Sequence, residues 1–192
     1  MKLVWPQASC RIKRFHTSDD QLDKNKRTMK TLTIFRHAKS SWNHPELSDH
    51  ERPLNERGKR DAPVMGDRLK AAGIHPSLIL SSSAERASNT ARTVAKQIAY
   101  PIEFLQREPG LYHASVNKLL DIIAVQDEGF NSIMIVGHNP GLTDLANEFI
   151  PGLTSNIPTA GFVSIKIDTN DWNLRTQKSA ELITYDYPKR RP

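Results

Sequence analysis

Short apolar runs alternate with helical repeats along most of this chain, and this alternation limits the folds open to it. Residues 31–35, 78–80 and 132–136 are mostly apolar runs without alternation, which is typical of strands buried on both faces. Between them, apolar residues recur at helical spacing. Strands that alternate with helices build a parallel sheet covered by helices. The sequence therefore predicts an α/β three-layer sandwich, with a mainly parallel central sheet and helices on both faces.

Capping and breaking residues set the bounds of the predicted elements. Asn55 is expected to cap a helix that stops at Gly73. Asn139 and Pro140 are expected to begin a helix that runs to about Phe149. Further helices are predicted near 87–98 and 116–123, and further strands near 102–105, 161–168 and 180–185.

Residues 1–28 differ from the rest of the chain because they lack periodicity and are rich in charge. We predict a flexible N-terminal arm over 1–28, followed by one domain over 29–192. The first 18 residues contain no acid and several Lys, Arg and Ser, which resembles an organelle-targeting segment. An arm without a targeting role is the simpler interpretation, so the predicted location is cytoplasmic, with organelle targeting as the alternative.

The net charge of +6 comes from the two ends of the chain. Residues 1–30 carry +5 and Lys189, Arg190 and Arg191 carry +3, which leaves −2 for 31–188. The body is therefore not expected to bind nucleic acid. The single cysteine, Cys10, excludes an internal disulfide, and no apolar run reaches the ~20 residues of a membrane span.

Basic residues follow three of the predicted strands. The first strand ends in Arg36 and His37, the second leads to Arg86 in the first turn of a helix, and the third leads to His138. The carboxyl ends of parallel strands share one edge of the sheet, where ligands bind. Guanidinium and imidazole groups gathered there need an anion between them, and phosphate fits. Metal binding by the histidines is disfavoured, since no nearby carboxylate completes a ligand set and two arginines share the pocket. No metal or cofactor is therefore predicted.

Three segments contain these basic residues: RHA at 36–38, SSSAERASNTA at 81–91 and VGHNP at 136–140. They resemble the signatures of the histidine phosphatase superfamily, which has the phosphoglycerate mutase-like fold. RHAKSSW, RPLNERGKRDAPVMG at 52–66, LYHAS at 111–115 and PK at 188–189 are similar to SixA-type phosphohistidine phosphatases. The resemblance covers about 31–190. Ala38 replaces a glycine of many members, and the SixA-like branch often has alanine there.

The resemblance implies a role for each basic residue. His37 would be the nucleophile and would carry the phosphoryl group transiently. Arg36, Arg86 and His138 would bind the phosphoryl oxygens, without a metal. For His37 to attack, one ring nitrogen must be unprotonated, so the other should donate to a fixed acceptor.

The proton donor and the secondary contacts are less defined by the sequence. Glu108 is the best-placed acid between Arg86 and His138, although it equally fits a plain loop carboxylate; Asp49 and Glu51 are weaker candidates. Lys39, Ser40 and Ser41 follow the nucleophile and are candidate substrate-binding residues. The other histidines, His44, His50, His75 and His113, are expected on the surface or in loops.

The predicted function is a metal-independent phosphatase that removes phosphate from phosphohistidine in a partner protein, such as a histidine-containing phosphotransfer domain. An imidazole leaves more readily than an alkoxide, so a poorly defined acid favours that substrate. Only about 44–52 and 150–160 could form lids, which favours an open pocket. The alternatives are a phosphatase for a small metabolite or a phosphoserine or phosphothreonine peptide, and an inactive module that binds phosphoanions.

Overall fold

A six-stranded mixed sheet forms the centre of the structure, a computed structural model that describes residues 29–176 and 179–190. In spatial order β3-β2-β4-β1-β5-β6, the first four strands are parallel and the last two join antiparallel. The strands are β1 (Met29–Arg36), β2 (Leu78–Ser81), β3 (Gln106–Arg107), β4 (Ser132–Gly137), β5 (Phe162–Asp168) and β6 (Ala180–Asp186). The predicted α/β class is confirmed, whereas the predicted arm over 1–28 lies outside the described residues.

Four helices cover the two faces of the sheet. Helices α1 (Glu56–Ala71) and α2 (Glu85–Gln97) pack on one face, and α3 (Val116–Ala124) and α4 (Gly141–Phe149) pack on the other. Successive residues of β4 serve both layers, because strand side chains alternate between faces. On one face these are Ile133 and Ile135, and on the other Met134 and Val136. No helix among the described residues is long and apolar enough to cross a bilayer.

Two of the predicted element bounds are wrong. The helix expected from Asn139 begins at Gly141, because the Asn139 side chain donates to Asn156 Oδ1 and the Ile157 carbonyl instead of capping. The strand expected near 102–105 is a 3-10 turn, and the sheet pairing starts only at 106. A short apolar run does not distinguish a turn from an edge strand. The Asn55 cap of α1 is confirmed, since its side chain accepts from Gly58 N at 2.9 Å.

Two glycines allow helices to approach the loops that follow the strands. A side chain at Gly58 would collide with the carbonyl oxygen of Lys39, two residues after His37. A side chain at Gly141 would collide with the carbonyl oxygen of Ala114. Close backbone approach of this kind requires glycine. The starts of α1 and α4 therefore pack directly behind the segments at the carboxyl edge of the sheet.

Candidate active site

The strand order brings the four predicted basic residues to one edge of the sheet. β2, β4 and β1 are parallel neighbours, so the residues that follow them emerge together. Arg36 ends β1, His138 follows β4, and Arg86 lies in the first turn of α2. The His37 and His138 rings are 4.9 Å apart between centroids. Arg86 lies close enough to lower the pKa of both rings.

Backbone contacts hold the His37 ring in one protonation form. Its main-chain N–H donates to the Gly137 carbonyl at 3.0 Å, which ties the residue to the end of β4. Its ring Nδ1 lies 2.7 Å from the Ala38 carbonyl oxygen. Because a carbonyl only accepts hydrogen bonds, Nδ1 carries the proton. The lone pair therefore lies on Nε2, as a nucleophilic imidazole requires.

Burial keeps both histidine rings neutral. Desolvation lowers the pKa of His37 to about 3, and the charges of Arg86 and Arg36 act in the same direction against the Ala38 hydrogen bond. Burial also lowers the pKa of His138 to about 2, with help from His37 and Arg86. A neutral imidazole can attack phosphorus, whereas an imidazolium cannot. His37 is therefore in its reactive form throughout the neutral range.

The lowered pKa values predict a loss of stability in mild acid. An unfolded histidine has a pKa of ~6.5, so below that pH the unfolded chain binds protons at these two residues while the native rings remain neutral. The stabilisation is fully present above pH ~6.5 and is lost as pH falls toward the native pKa of His37, about 3. Each ring contributes up to ~1.4 kcal/mol per pH unit in that window. Denaturant unfolding from about pH 4 to about pH 8 should show it.

A His37→Asn variant provides the control for that measurement. It lacks one of the two titrating rings, so the pH slope of its free energy of unfolding should be shallower than that of the wild type by about one proton. Identical slopes for the two proteins would contradict neutral burial of His37.

Two buried nitrogen atoms in the pocket have no hydrogen-bond partner among the described residues. They are Arg36 Nε and His138 Nδ1. The other His138 nitrogen, Nε2, lies 2.8 Å from Ser82 Oγ, and when Ser82 donates, Nδ1 keeps the ring proton. Unpaired buried donors are costly. Phosphate oxygens would satisfy both nitrogens when Ser82 donates to His138 Nε2.

Asp49 is the carboxylate that contacts this pocket. It lies in the 3-10 turn Asp49–Glu51, where its main-chain carbonyl accepts from Arg86 Nη1 and its Oδ2 accepts from Arg86 Nη2 at 2.8 Å. Partial burial raises the pKa of Asp49, but hydrogen bonds from Tyr112 and Arg86 lower it by more, so it lies well below its usual range. An ionised carboxylate is a poor proton donor. Asp49 therefore acts as an internal anion on Arg86.

The Glu108 carboxylate makes its hydrogen bond within its own turn, where it accepts from Gly110 N at 2.7 Å. Among the described residues no hydrogen bond or ion pair joins it to Arg36, His37, Arg86 or His138. Glu51 was, like Asp49, a weaker candidate for the proton donor. Its carboxylate accepts from the backbone N–H and the hydroxyl of Ser48, which caps its turn. A proton-donor role for Glu108 stays a prediction, without a contact that supports it.

The segment after the nucleophile is organised around Arg52. Its Nη2 donates to Ser40 Oγ at 2.5 Å and its Nε donates to the Ser41 carbonyl at 2.9 Å. Ser41 Oγ accepts from the backbone of Asn43. Both hydroxyls are thus engaged within the loop, and the Lys39 backbone carbonyl accepts from Asn55 N. Phosphate contacts by Lys39, Ser40 and Ser41 remain predictions.

Two of the histidines that were expected on the surface or in loops, His50 and His113, lie in turns beside the four basic residues. His50 Nε2 is 2.8 Å from Ser83 Oγ, and its ring packs against Tyr112 at 5.0 Å. The His113 ring lies 5.3 Å from that of His138. The only signal for His113 was its place in the LYHAS segment. His44 and His75 are exposed, as expected. In the described ranges no group of three His, Cys, Asp or Glu residues has metal-binding geometry.

Comparisons with known proteins agree with this geometry. A family model for the histidine phosphatase superfamily (branch 1) matches residues 32–108. A chloroplastic protein of Arabidopsis thaliana is 30% identical over 149 residues, which are 73% of this chain and 68% of that protein. This chain belongs to the histidine phosphatase superfamily.

Solved structures of histidine phosphatases share the fold. A protein of Agrobacterium tumefaciens, assigned by name as a SixA phosphohistidine phosphatase, is 28% identical with a TM-score of 0.68; the match covers 83% of this chain and 98% of that one. The protein histidine phosphatase SixA in complex with tungstate has a TM-score of 0.69 at 23% identity, over 82% of this chain and 97% of that one, which shows the fold alone. These findings support phosphatase activity for this histidine phosphatase family member.

Proposed function

We propose that this protein hydrolyses phosphohistidine in a partner protein, through a transient phosphohistidine on its own His37. The observation that carries the proposal is the fixed ring of His37. Its Nδ1–H is bound to the Ala38 carbonyl, so the Nε2 lone pair is free in a pocket lined by Arg36, Arg86 and His138. This combination of a neutral nucleophile and cationic neighbours is what phosphoryl transfer needs.

In the proposed reaction, His37 Nε2 forms a bond to phosphorus while the bond from phosphorus to the departing nitrogen breaks. Charge spreads over the three equatorial oxygens in the transition state. Arg86 supplies two donors from its fork once the phosphoryl group displaces Asp49 from them. Arg36 supplies Nε, and His138 supplies Nδ1 when Ser82 donates to its Nε2. Water then attacks phosphorus, the bond to Nε2 breaks, and inorganic phosphate leaves.

An exposed aromatic side chain beside the pocket supports a protein substrate. Trp42 follows the nucleophile segment and is 72% exposed, with its ring centre 3.2 Å from the Arg52 guanidinium carbon. Arg52 is buried and hydrogen-bonded to Ser40 and Ser41, so the tryptophan ring packs against a guanidinium group that is held in place. Rigid exposed tryptophans are characteristic anchors at protein interfaces. The similarity to SixA-type proteins favours phosphohistidine as the group that the partner presents.

The test is a substrate panel. It contains a phosphorylated histidine-containing phosphotransfer domain, a phosphoserine peptide and small alkyl phosphates. We expect kcat/KM on the phosphohistidine protein to exceed that on each ester by at least ~100-fold. The His37→Asn variant controls for contaminating phosphatases, because all turnover should disappear with it. If the enzyme hydrolyses an alkyl phosphate rapidly and does not hydrolyse the phosphohistidine protein, the protein is a metabolite phosphatase and the proposal is wrong. If it binds phosphate compounds without turnover, it is an inactive binding module.

A further inference from the structure

The turn that carries Tyr112 and His113 lies at the mouth of the pocket, and the reaction above gives it no role. Both rings pack against His138, each at 5.3 Å between centroids. His113 has a φ of 50°, a left-handed conformation that is costly for a residue other than glycine. A local cost of this kind is characteristic of functional sites. The fold therefore places the His113 imidazole at the pocket at the expense of local stability.

Asp49 Oδ2 shows where an anionic oxygen binds at this mouth. It accepts from Arg86 Nη2 at 2.8 Å and from the Tyr112 hydroxyl at 2.7 Å, and it lies 3.5 Å from His113 Nε2. A guanidinium, a phenol and an imidazole thus converge on one oxygen, which stands in for an oxygen of a phosphorylated substrate. A phosphoryl group that takes both donors of Arg86 must displace both the carboxylate and the main-chain carbonyl of Asp49. Its own outer atoms then face Tyr112 and His113.

We propose that His113 is a catalytic residue that donates, from Nε2, the proton that the departing group takes up. The inference rests on the proposed phosphatase reaction at His37. His138 contacts the rings of both histidines, at 4.9 and 5.3 Å, so a phosphoryl group held by Arg86 and His138 is within reach of both. His37 is only 9% exposed, whereas the side chain of His113 is 52% exposed. The nucleophile His37 is therefore at the buried end of the pocket, and His113 is at the exposed end, from which the departing group leaves.

His113 can then supply the proton in the first step, transfer of the phosphoryl group to His37, and recover it in the second step, hydrolysis. As His37 Nε2 bonds to phosphorus, the electron pair of the breaking bond goes to the departing atom. An ester oxygen takes the His113 proton directly, and a departing imidazole takes it on its other ring nitrogen. Neutral His113 next accepts a proton from the attacking water, while the electron pair of the phosphorus–nitrogen bond returns to His37. His113 is protonated again when phosphate leaves.

A proton donor can be recognised by its dependence on the departing group. p-Nitrophenolate leaves without protonation, whereas an alkoxide needs a proton. We expect His113→Asn to slow an alkyl phosphate by ~100-fold or more and p-nitrophenyl phosphate by only a few-fold. The limb of the pH profile of kcat/KM that reports the donor should vanish for the alkyl ester. The charged and titratable groups that face His113 are Asp49, Tyr112 and His138, and Arg86 is bound to the same Asp49 oxygen. The same profiles are therefore recorded for Asp49→Asn as a reference.

Two further variants separate chemistry from structure. Glu108→Gln tests the rival donor and should leave the ratio of the two ester rates unchanged. His113→Ala should regain alkyl phosphate turnover when imidazole is added to the buffer. The inference is overturned if His113→Asn slows both esters equally or slows neither. It is also overturned if imidazole does not restore turnover to His113→Ala. In each case His37 should still take up phosphate, so the proposed function would stand. If the wild type neither turns over substrate nor labels His37, the proposed function itself fails, and this inference fails with it.

Discussion

Replacing His37 with asparagine should lower turnover by on the order of 10⁴-fold or more, because it removes the atom that bonds to phosphorus. The asparagine amide can still donate to the Ala38 carbonyl, as Nδ1 of the imidazole does at 2.7 Å. Arg36, Arg86 and His138 stay in place, so phosphate should still bind. The variant thereby separates the covalent step from binding of the anion.

Two measurements test this expectation. The wild type, quenched in base during turnover of radiolabelled substrate, should carry label that is stable to alkali and lost in acid, as a phosphoramidate is. The His37→Asn variant should carry none, yet should bind inorganic phosphate within a few-fold of the wild-type affinity. His75→Asn is the matched control, since His75 is exposed and lies outside the site segments, before β2 begins. Label that persists on the His37→Asn protein would move the nucleophile to another residue.

The convergence of Arg36, His37, Arg86 and His138 could be predicted because it depends only on regular structure. Mostly apolar runs indicate buried parallel strands, and each of these residues ends such a strand or lies in the segment that follows it. Parallel neighbours place the residues that follow them at one edge, as β2, β4 and β1 do. The common direction of these strands follows from the sequence pattern, whereas their adjacency, which the convergence also requires, came from the structure.

Contacts between loops lay beyond the reach of the sequence. The approach of Asp49 to Arg86 joins a 3-10 turn to a helix 37 positions later, and no local periodicity records it. Tyr112 and His113 reach His138 because their turn packs under the start of α4, where Gly141 leaves no room for a side chain. Glu108 was chosen as the candidate acid from its position along the chain alone, and spacing did not indicate that its Oε1 accepts from Gly110 N in the turn that follows. Side chains in loops take partners set by tertiary packing, which spacing does not encode.

The pairing of Arg86 with Asp49 makes Arg86→Ala informative about the transition state. Arg86 is 3% exposed and uses both terminal nitrogens on Asp49, so its fork is already shaped to hold two oxygens. Removing it should lower kcat/KM by ~10²–10³-fold, the usual effect of losing a donor aimed at developing charge. Asp49 keeps its contacts with Arg52 and Tyr112, so its loop should stay folded.

Vanadate and phosphate distinguish a transition-state contact from simple ion binding. Vanadate adopts the trigonal arrangement of the transferring group, so Arg86→Ala should weaken its inhibition much more than that of phosphate. Arg86→Lys should recover little, because an ammonium group is a point charge that cannot fork between two oxygens. Arg92→Ala is the matched control, an exposed arginine further along α2. An equal loss of both inhibitors would mean that Arg86 attracts the anion without favouring the transition state, and full activity of the lysine variant would mean that its charge alone suffices.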